Sequence, residues 1–470
     1  MRKGQSMPAT GEDSAPFTRS KGSAVRIVIP AIFIALPAVI FSCILFQRLI
    51  NLPLQDDYDA VLRFVNQTAQ AQGAGAKLTN LLADQHNEYK LFVGHGLEWA
   101  QFALLGHMDF AQLCVAGDSA IFLLALILWL MFLPGEKDLA KRLAYFVPVA
   151  WLLFQLEYWE TLDWAMASLQ NLWVIVFALG AICCVLRPAR KAYIGAIILY
   201  VLAIADSGNG FLLFPVGLII LGARRQLVRA AGWLAVTAVC IAAYSYHYNL
   251  MSSQARAHRS VVSTLLELRP DYALTFIGNA GAIAGAGGAP IFVRICEALG
   301  AALLLLFGWL AWRGYIRRNP AISCSVLFVL LTAGGVAGLR SDLGLMQGLS
   351  SRYTIYGALL LIFAWSALAE EFSQSWDGPL LNNNPYLAAA GLAIVFGLCM
   401  DFIGHQNLVQ RERDAIKGMA AFEHSVKSGG TEGPVLRTAN ENSIRVALRL
   451  HSRPILIESI RLGVYEPPKY

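Results

Sequence analysis

Three aspartates occupy four positions, Asp56, Asp57 and Asp59, in the stretch Leu54-Gln55-Asp56-Asp57-Tyr58-Asp59. They follow directly on a long apolar run. A carboxylate beside a bilayer is costly to hold there unless it has a partner or a task. One task is proton abstraction. Transfer of a group to a hydroxyl needs a base within hydrogen-bond reach of that hydroxyl, and desolvation makes a carboxylate a better base by raising its pKa. Asp56 and Asp57 are therefore the catalytic candidates. The same residues also suit an acidic helix start, with either as N-cap.

Four further stretches could serve such a base. His86-Asn87-Glu88-Tyr89-Lys90 combines an imidazole, an amide, a carboxylate and a cation. On a helix His86 and Lys90 would share a face at i, i+4. Lys90 would then meet an anionic leaving group, or the stretch is a solvated helix face. His86 with Glu88 and Asp84 could instead form a metal site with the aspartates. In Gln155-Leu156-Glu157-Tyr158-Trp159-Glu160 through Asp163-Trp164 and on to Gln170, the residues Glu157, Glu160 and Trp164 would share a helical face. Rings such as Trp159 beside carboxylates suit a sugar, and they also suit an interfacial aromatic belt. Asn209 lies in Ser207-Gly208-Asn209-Gly210, just after Asp206, where glycines allow a tight turn or a close backbone approach to a ligand. Ser350-Ser351-Arg352-Tyr353 supplies Arg352, whose fork can grip a phosphate, and Tyr353 beside it. Interfacial snorkelling is its plainer role. Arg256, His258, Arg259 and Arg340 are weaker candidates of the same kind.

The elements that must position these groups are membrane spans. Of 470 residues 57% are hydrophobic and only 14% charged, against about 25% in a soluble protein. Mean hydropathy is +0.53. The formal charge of +6 is what basic loop ends produce, and it calls for no nucleic acid. The eight cysteines fall in or beside apolar runs, show no metal-ligand spacing and imply no disulfide framework. No nucleotide-binding loop, dinucleotide glycine pattern or Gly-x-Ser-x-Gly elbow occurs.

Eleven apolar runs are expected to span, at about 26–50, 112–133, 143–157, 168–186, 192–206, 210–222, 230–249, 290–312, 321–339, 352–370 and 386–403. Every second loop carries Lys or Arg, at 19–26, 137–142, 187–191, 224–229 and 313–318; the loop 371–385 does not, and brings Glu370, Glu371 and Asp377 instead. The positive-inside pattern puts the N-terminus in the cytoplasm and all the candidate stretches outside it. Residues 1–23 read as a disordered cytoplasmic tail. Loop 51–111 should carry interfacial helices over 57–72 and 77–105, and 250–289 is a second outer loop. Residues 404–470 shift to soluble composition and read as a small outer segment packed on the outer loops, with Ile444–Leu450 alternating like a strand. The runs 143–157 and 210–222 are too short for a full crossing, and short helices at membrane depth imply a cavity, here opening outward.

With QDDYD after the first span, HNEYK, SGNG and SSRY in outer loops, short paired spans and an outer C-terminal segment, residues 26–403 resemble the C-type fold of integral membrane glycosyltransferases (GT-C) in bacteria. The resemblance implies a multi-pass protein of the bacterial inner membrane, C-terminus periplasmic. It implies a polyprenyl-phosphate-linked sugar as donor, a lipid or glycan acceptor on the periplasmic face, membrane lipids as surroundings, and inversion with Asp56 or Asp57 as general base. Arg352 and Lys90 would stabilise the departing phosphate, with His86, Glu88, Glu157, Trp159, Glu160, Asn209 and Tyr353 binding substrate. Some families of this fold bind a divalent cation, Mg or Mn, through acidic residues and others bind none, so no metal ligand is assigned. Two alternatives are a polysaccharide flippase or transporter, which would need charged residues in mid-span, and a surface-polysaccharide polymerase or ligase, which would place its large outer loop late in the chain.

Overall fold

The structure, a computed structural model, describes residues 21–87, 89–249, 269–282, 290–341, 344–375, 384–427 and 452–468. These form helices and no strand. Eight helices are long and apolar enough to cross a membrane: Val25–Arg48, Phe110–Met131, Ala165–Val185, Leu227–Tyr244, Pro290–Trp312, Pro320–Arg340, Ser351–Glu371 and Pro385–His424. The chain is an all-α, multi-pass membrane protein. The other three apolar runs are helical too, as Leu139–Leu153, Arg190–Asp206 and Gly208–Ala223, but they are short. The first two hold 15 and 17 residues, roughly 23 and 26 Å at 1.5 Å per residue. Among the described residues eight helices therefore have spanning length by this measure.

Two spans form the centre. Ala165–Val185 and Ser351–Glu371 are 78% and 83% buried over their most apolar windows, against 11% for Val25–Arg48 at the rim. Outer faces show exposed Leu305 and Phe402, which lipid accommodates without loss because its tails are equally apolar. Buried indoles tie the helices across the bundle: Trp151 Nε1 donates to Phe33 O at 3.0 Å and Trp365 Nε1 to Tyr145 O at 2.8 Å. Gly404 lets the last long helix lie against Leu156, since a Cβ there would meet the Leu156 carbonyl oxygen at 2.2 Å.

Basic residues gather at one end of this bundle. Arg142 donates to the Trp129 and Phe132 carbonyls, Arg224 to Leu186 O, and Arg229 to Pro188 O at 2.7 Å. Arg318 pairs with Glu371, and Asn319 Nδ2 donates to Glu370 Oε2 at 3.4 Å. The acids that broke the basic pattern thus lie at the basic end, where one of them neutralises Arg318.

The opposite end carries the loop 51–111, and here the structure corrects several expectations. A π-helical turn Asp57–Leu62 leads into Arg63–Gln70, followed by Gly73–Ala83 and Phe92–Leu105. The expected helix over 77–105 is broken at 84–91. His86 and Tyr89 pair as an isolated antiparallel bridge, and Asn87 between them sits at φ 51°, a left-handed conformation that Asn tolerates and a helix does not. His86 and Lys90 therefore share no helix face. Glu157, Glu160 and Trp164 share none either, because the only helix there is the single turn Trp159–Leu162.

One helix runs from Asn384 to Lys427, across the 403/404 position where the composition shifts. The C-terminal helix Ser452–Arg461 packs on the loop 51–111. Asn66 Nδ2 donates to Ser459 Oγ at 2.9 Å, Gln70 to Glu458 at 2.7 Å, and Tyr465 OH to Asn51 O at 2.8 Å. The tail 1–20, the expected strand 444–450, Arg256, His258, Arg259 and Glu88 lie outside the described residues.

Candidate active site

The two adjacent aspartates are held in opposite ways. Asp57 is fully buried. Its carboxylate accepts from Leu54 N and Met166 N, both at 2.9 Å, and so pins the QDDYD turn to the start of the Ala165–Val185 helix. Burial pushes its pKa up to about 8, against the pull of those two backbone N–H groups. Asp56 instead faces a cavity. Its Oδ2 lies 3.4 Å from His86 Nε2, and Asn87 Nδ2 lies 2.8 Å from the same ring nitrogen. Gln55 just before it adopts φ 48°, and the π turn begins just after it. Strained backbone and π turns are both features that gather at functional sites.

The cavity encloses about 670 Å³ of empty space, open solvent included. Asp56, His86, Asn87 and Tyr89 line it from the first outer loop. Trp164, Met166, Ala167, Gln170 and Asn171 line it from the start of the central span, Ser207 and Asn209 from the SGNG turn, and Val336, Arg340, Arg352, Tyr353 and Tyr356 from the Pro320–Arg340 and Ser351–Glu371 helices. The structure therefore brings together Asp56, His86, Asn209, Arg352 and Tyr353 from four separate stretches of sequence. Arg352 stacks 5.2 Å from the Tyr353 ring, and its buried Nε makes no hydrogen bond. Arg340 Nη2 donates to Tyr89 OH at 3.3 Å. Asn209 Nδ2 donates to Tyr356 OH at 3.3 Å. Trp164 Nε1, buried in the same lining, has no hydrogen-bond partner.

Five of the expected residues fall outside the lining. Asp57 is the pin already described. Lys90 is fully buried, its ammonium donating to Leu82 O at 2.6 Å and to Tyr246 O. It clips the end of the Gly73–Ala83 helix to the residues after Leu227–Tyr244, where carbonyls are left over and a cation is favoured. Glu160 accepts from Ser350 Oγ at 2.8 Å, its N–H donates to Ser351 Oγ at 3.2 Å, and Ser351 Oγ donates to Glu157 O. Glu157 and Glu160 thus hold the Ser350-Ser351 stretch that presents Arg352. Burial pushes Glu157 up to about 8. Trp159 lies under the Arg411 guanidinium at 5.5 Å.

Behind the His86 loop lies a buried charge cluster that the sequence reading did not single out. His95 Nε2 is 2.9 Å from Asp84 Oδ2, and its Nδ1 is 2.8 Å from Glu98 Oε2. Arg63 meets Asp84 at 2.7 Å, and Phe64 stacks on the imidazole at 4.0 Å. Burial opposes a charge on His95, but Glu98 and Asp84 raise it to about 9. Burial would likewise raise Asp84, yet His95 and Arg63 hold it down to about 2.

The spans also hold more charge than the sequence reading allowed. Asp118 in Phe110–Met131 and Asp401 in Pro385–His424 are both buried, and both oxygens of Asp118 lack a hydrogen bond. Among the described residues no group of three His, Cys, Asp or Glu side chains is placed to hold a metal ion. The lining residues Asn171 and Tyr356 lay inside expected spans, where nothing but their polarity marked them. Comparison with protein-family models, with curated proteins and with solved structures finds no match to this chain.

Proposed function

We propose that the chain is a membrane glycosyltransferase that moves a sugar from a polyprenyl-phosphate-linked donor to a hydroxyl of a lipid or glycan acceptor, at the periplasmic face of a bacterial inner membrane. The observation that carries this reading is one cavity, at the end of the bundle away from the basic loops, lined by a carboxylate, two arginines, and a set of amides and aromatic rings. Asp56 takes the acceptor proton. The acceptor oxygen attacks the anomeric carbon from the face opposite the phosphate, that C–O bond breaks with its electron pair leaving on the phosphate oxygen, and configuration inverts. Arg352 and Arg340 stabilise the charge that develops there. Trp164, Tyr353 and Tyr356 offer ring faces to the sugar, while Asn171, Gln170 and Asn209 offer amides to its hydroxyls.

Between the two aspartates, Asp56 has the exposure a base needs, and Asp57 is spent on two backbone hydrogen bonds. The test is Asp56→Asn against Asp57→Asn in cells, with surface glycans and glycolipids profiled by mass spectrometry and protein level measured alongside. Asp56→Asn should lower product by about 10²–10⁴-fold at normal protein level, while Asp57→Asn should lower the protein level itself. Unchanged glycan in Asp56→Asn would sink the assignment.

A polysaccharide transporter is the second reading, favoured by the buried Asp118 in mid-helix, since acids inside membranes often mark transport paths. Asp118 does not line the cavity. Asp118→Asn should leave glycan transfer intact if the first reading holds.

A further inference from the structure

We propose that Arg411 is a positioning residue for Asp56, acting through Gln55. The inference rests on the reading of Asp56 as the base. Arg411 stands on the Asn384–Lys427 helix, beyond the boundary that composition suggested, and is buried at 6% exposure. Its Nε is 3.0 Å from Asp163 Oδ2, a carboxylate that is itself buried. With the Gln55 amide turned so that its oxygen faces the guanidinium, Gln55 Oε1 accepts from Arg411 Nη1 at 3.3 Å and Nη2 at 3.1 Å. The guanidinium also lies over the Trp159 ring. One side chain thus joins the last long helix, the Trp159–Asp163 turn and the QDDYD stretch.

Gln55 is where such a grip has leverage. It is a non-glycine residue at φ 48°, a conformation disfavoured for an L-residue and persisting only when its surroundings over-determine it. On its N-terminal side Leu54 N is tied to Asp57. On its C-terminal side is Asp56, whose Oδ2 lies 3.4 Å from His86 Nε2. The direction in which Asp56 enters the cavity is therefore set by the backbone of Gln55, and the Gln55 side chain is anchored on Arg411. Neither Gln55 nor Arg411 lines the cavity, so their influence on chemistry passes through Asp56. The planar fork of Arg can serve the Asp163 carboxylate and the Gln55 oxygen together; the single ammonium of Lys cannot do both in this geometry.

The experiment uses the full chain, purified in nanodiscs for hydrogen exchange and expressed in cells for glycan profiling. In Arg411→Ala, exchange over 52–62 should rise, exchange over the C-terminal helix 452–461 should hold, and product per folded protein should fall about 10–100-fold. Guanidinium chloride at millimolar concentration should restore part of both. Arg411→Lys should keep the protein folded and leave product low. Gln55→Ala removes the acceptor without stripping Asp163 of its cation, so it tests the same link if Arg411→Ala fails to fold. It should raise exchange over 52–62 and lower product likewise. Wild-type exchange and wild-type product in Gln55→Ala, or in a folded Arg411→Ala, overturn the proposal. If Asp56→Asn leaves product unchanged, the reading of the base fails instead, and exchange over 52–62 still decides whether Arg411 orders that turn.

Discussion

Raising the pH should weaken the outer loop through one buried side chain, His95. The imidazole lies between Asp84 at 2.9 Å and Glu98 at 2.8 Å and is stacked on Phe64. In this setting it holds its proton up to about 9, against about 6.5 in the unfolded chain. A folded-state pKa above the unfolded one means that the charged form is stabilised by folding. The contribution is complete below pH ~6.5 and disappears as pH rises through about 9. The separation of about 2.5 units at about 1.4 kcal/mol each gives roughly 3 kcal/mol. Asp57, raised to about 8 by burial, also makes folding less favourable as pH rises. The measurement must therefore be a difference between wild type and His95→Gln, which removes the His95 proton together with its hold on Asp84 and Glu98. Thermal unfolding of the full chain in detergent at pH 6 and pH 9.5, with hydrogen exchange followed over 84–98, gives that difference. The wild-type advantage should be about 3 kcal/mol larger at pH 6 than at pH 9.5. A gap that stays constant over this range would mean that His95 carries no proton between its two carboxylates, and the charge cluster would have to be rewritten as a neutral one.

Two other substitutions separate binding from scaffolding. Lys90→Met should leave Leu82 O and Tyr246 O without their donor and lower stability by about 1–3 kcal/mol, while product per folded protein stays at the wild-type level; a selective loss of product at unchanged stability would return Lys90 to the leaving group. Arg352→Lys keeps the charge but removes the fork, so product should fall at least about tenfold at unchanged protein level, and wild-type product would remove Arg352 from the phosphate site.

The helices were legible because every apolar run long enough to enter lipid had no alternative to closing its backbone hydrogen bonds internally. The common location of Asp56, His86, Asn209 and Arg352 was legible from alternating basic loops, which sort the outer stretches to one end before any contact is known. Local geometry was less so. The HNEYK stretch carries helical spacing, but Asn87 turns left-handed and His86 bridges back to Tyr89, so spacing along the chain misreported which side chains face together. Lys90 read as a free cation because sequence does not show that two orphan carbonyls converge on it. The break placed at residue 404 reflected a change of solvent, not of backbone. Residues such as Gln410, Arg411, Glu412, Ala415, Lys417, Met419 and Ala420 are good helix formers, and they carry the helix on past the membrane. Arg411 was missed for that reason.

What remains unmatched inside the cavity is informative about its contents. Trp164 Nε1 and Arg352 Nε are buried donors with no hydrogen bond to the protein, and a buried donor left so costs about 1–3 kcal/mol. An acceptor entering the cavity could meet both donors, since both residues stand in its lining. Trp164 brings a ring face as well as an N–H, a combination that fits a sugar hydroxyl above an apolar ring patch. Arg352 brings a fork, which fits a phosphate. Asp56 stands in the same lining, its Oδ2 3.4 Å from His86 Nε2. A cavity that held only ions on their way through would have no use for the indole, and one that bound only a lipid phosphate would have no use for a carboxylate in its lining. Sugar, phosphate and an ionisable hydroxyl are the three groups that the proposed transfer would bring to these residues, which is what favours it over the proposal of passage.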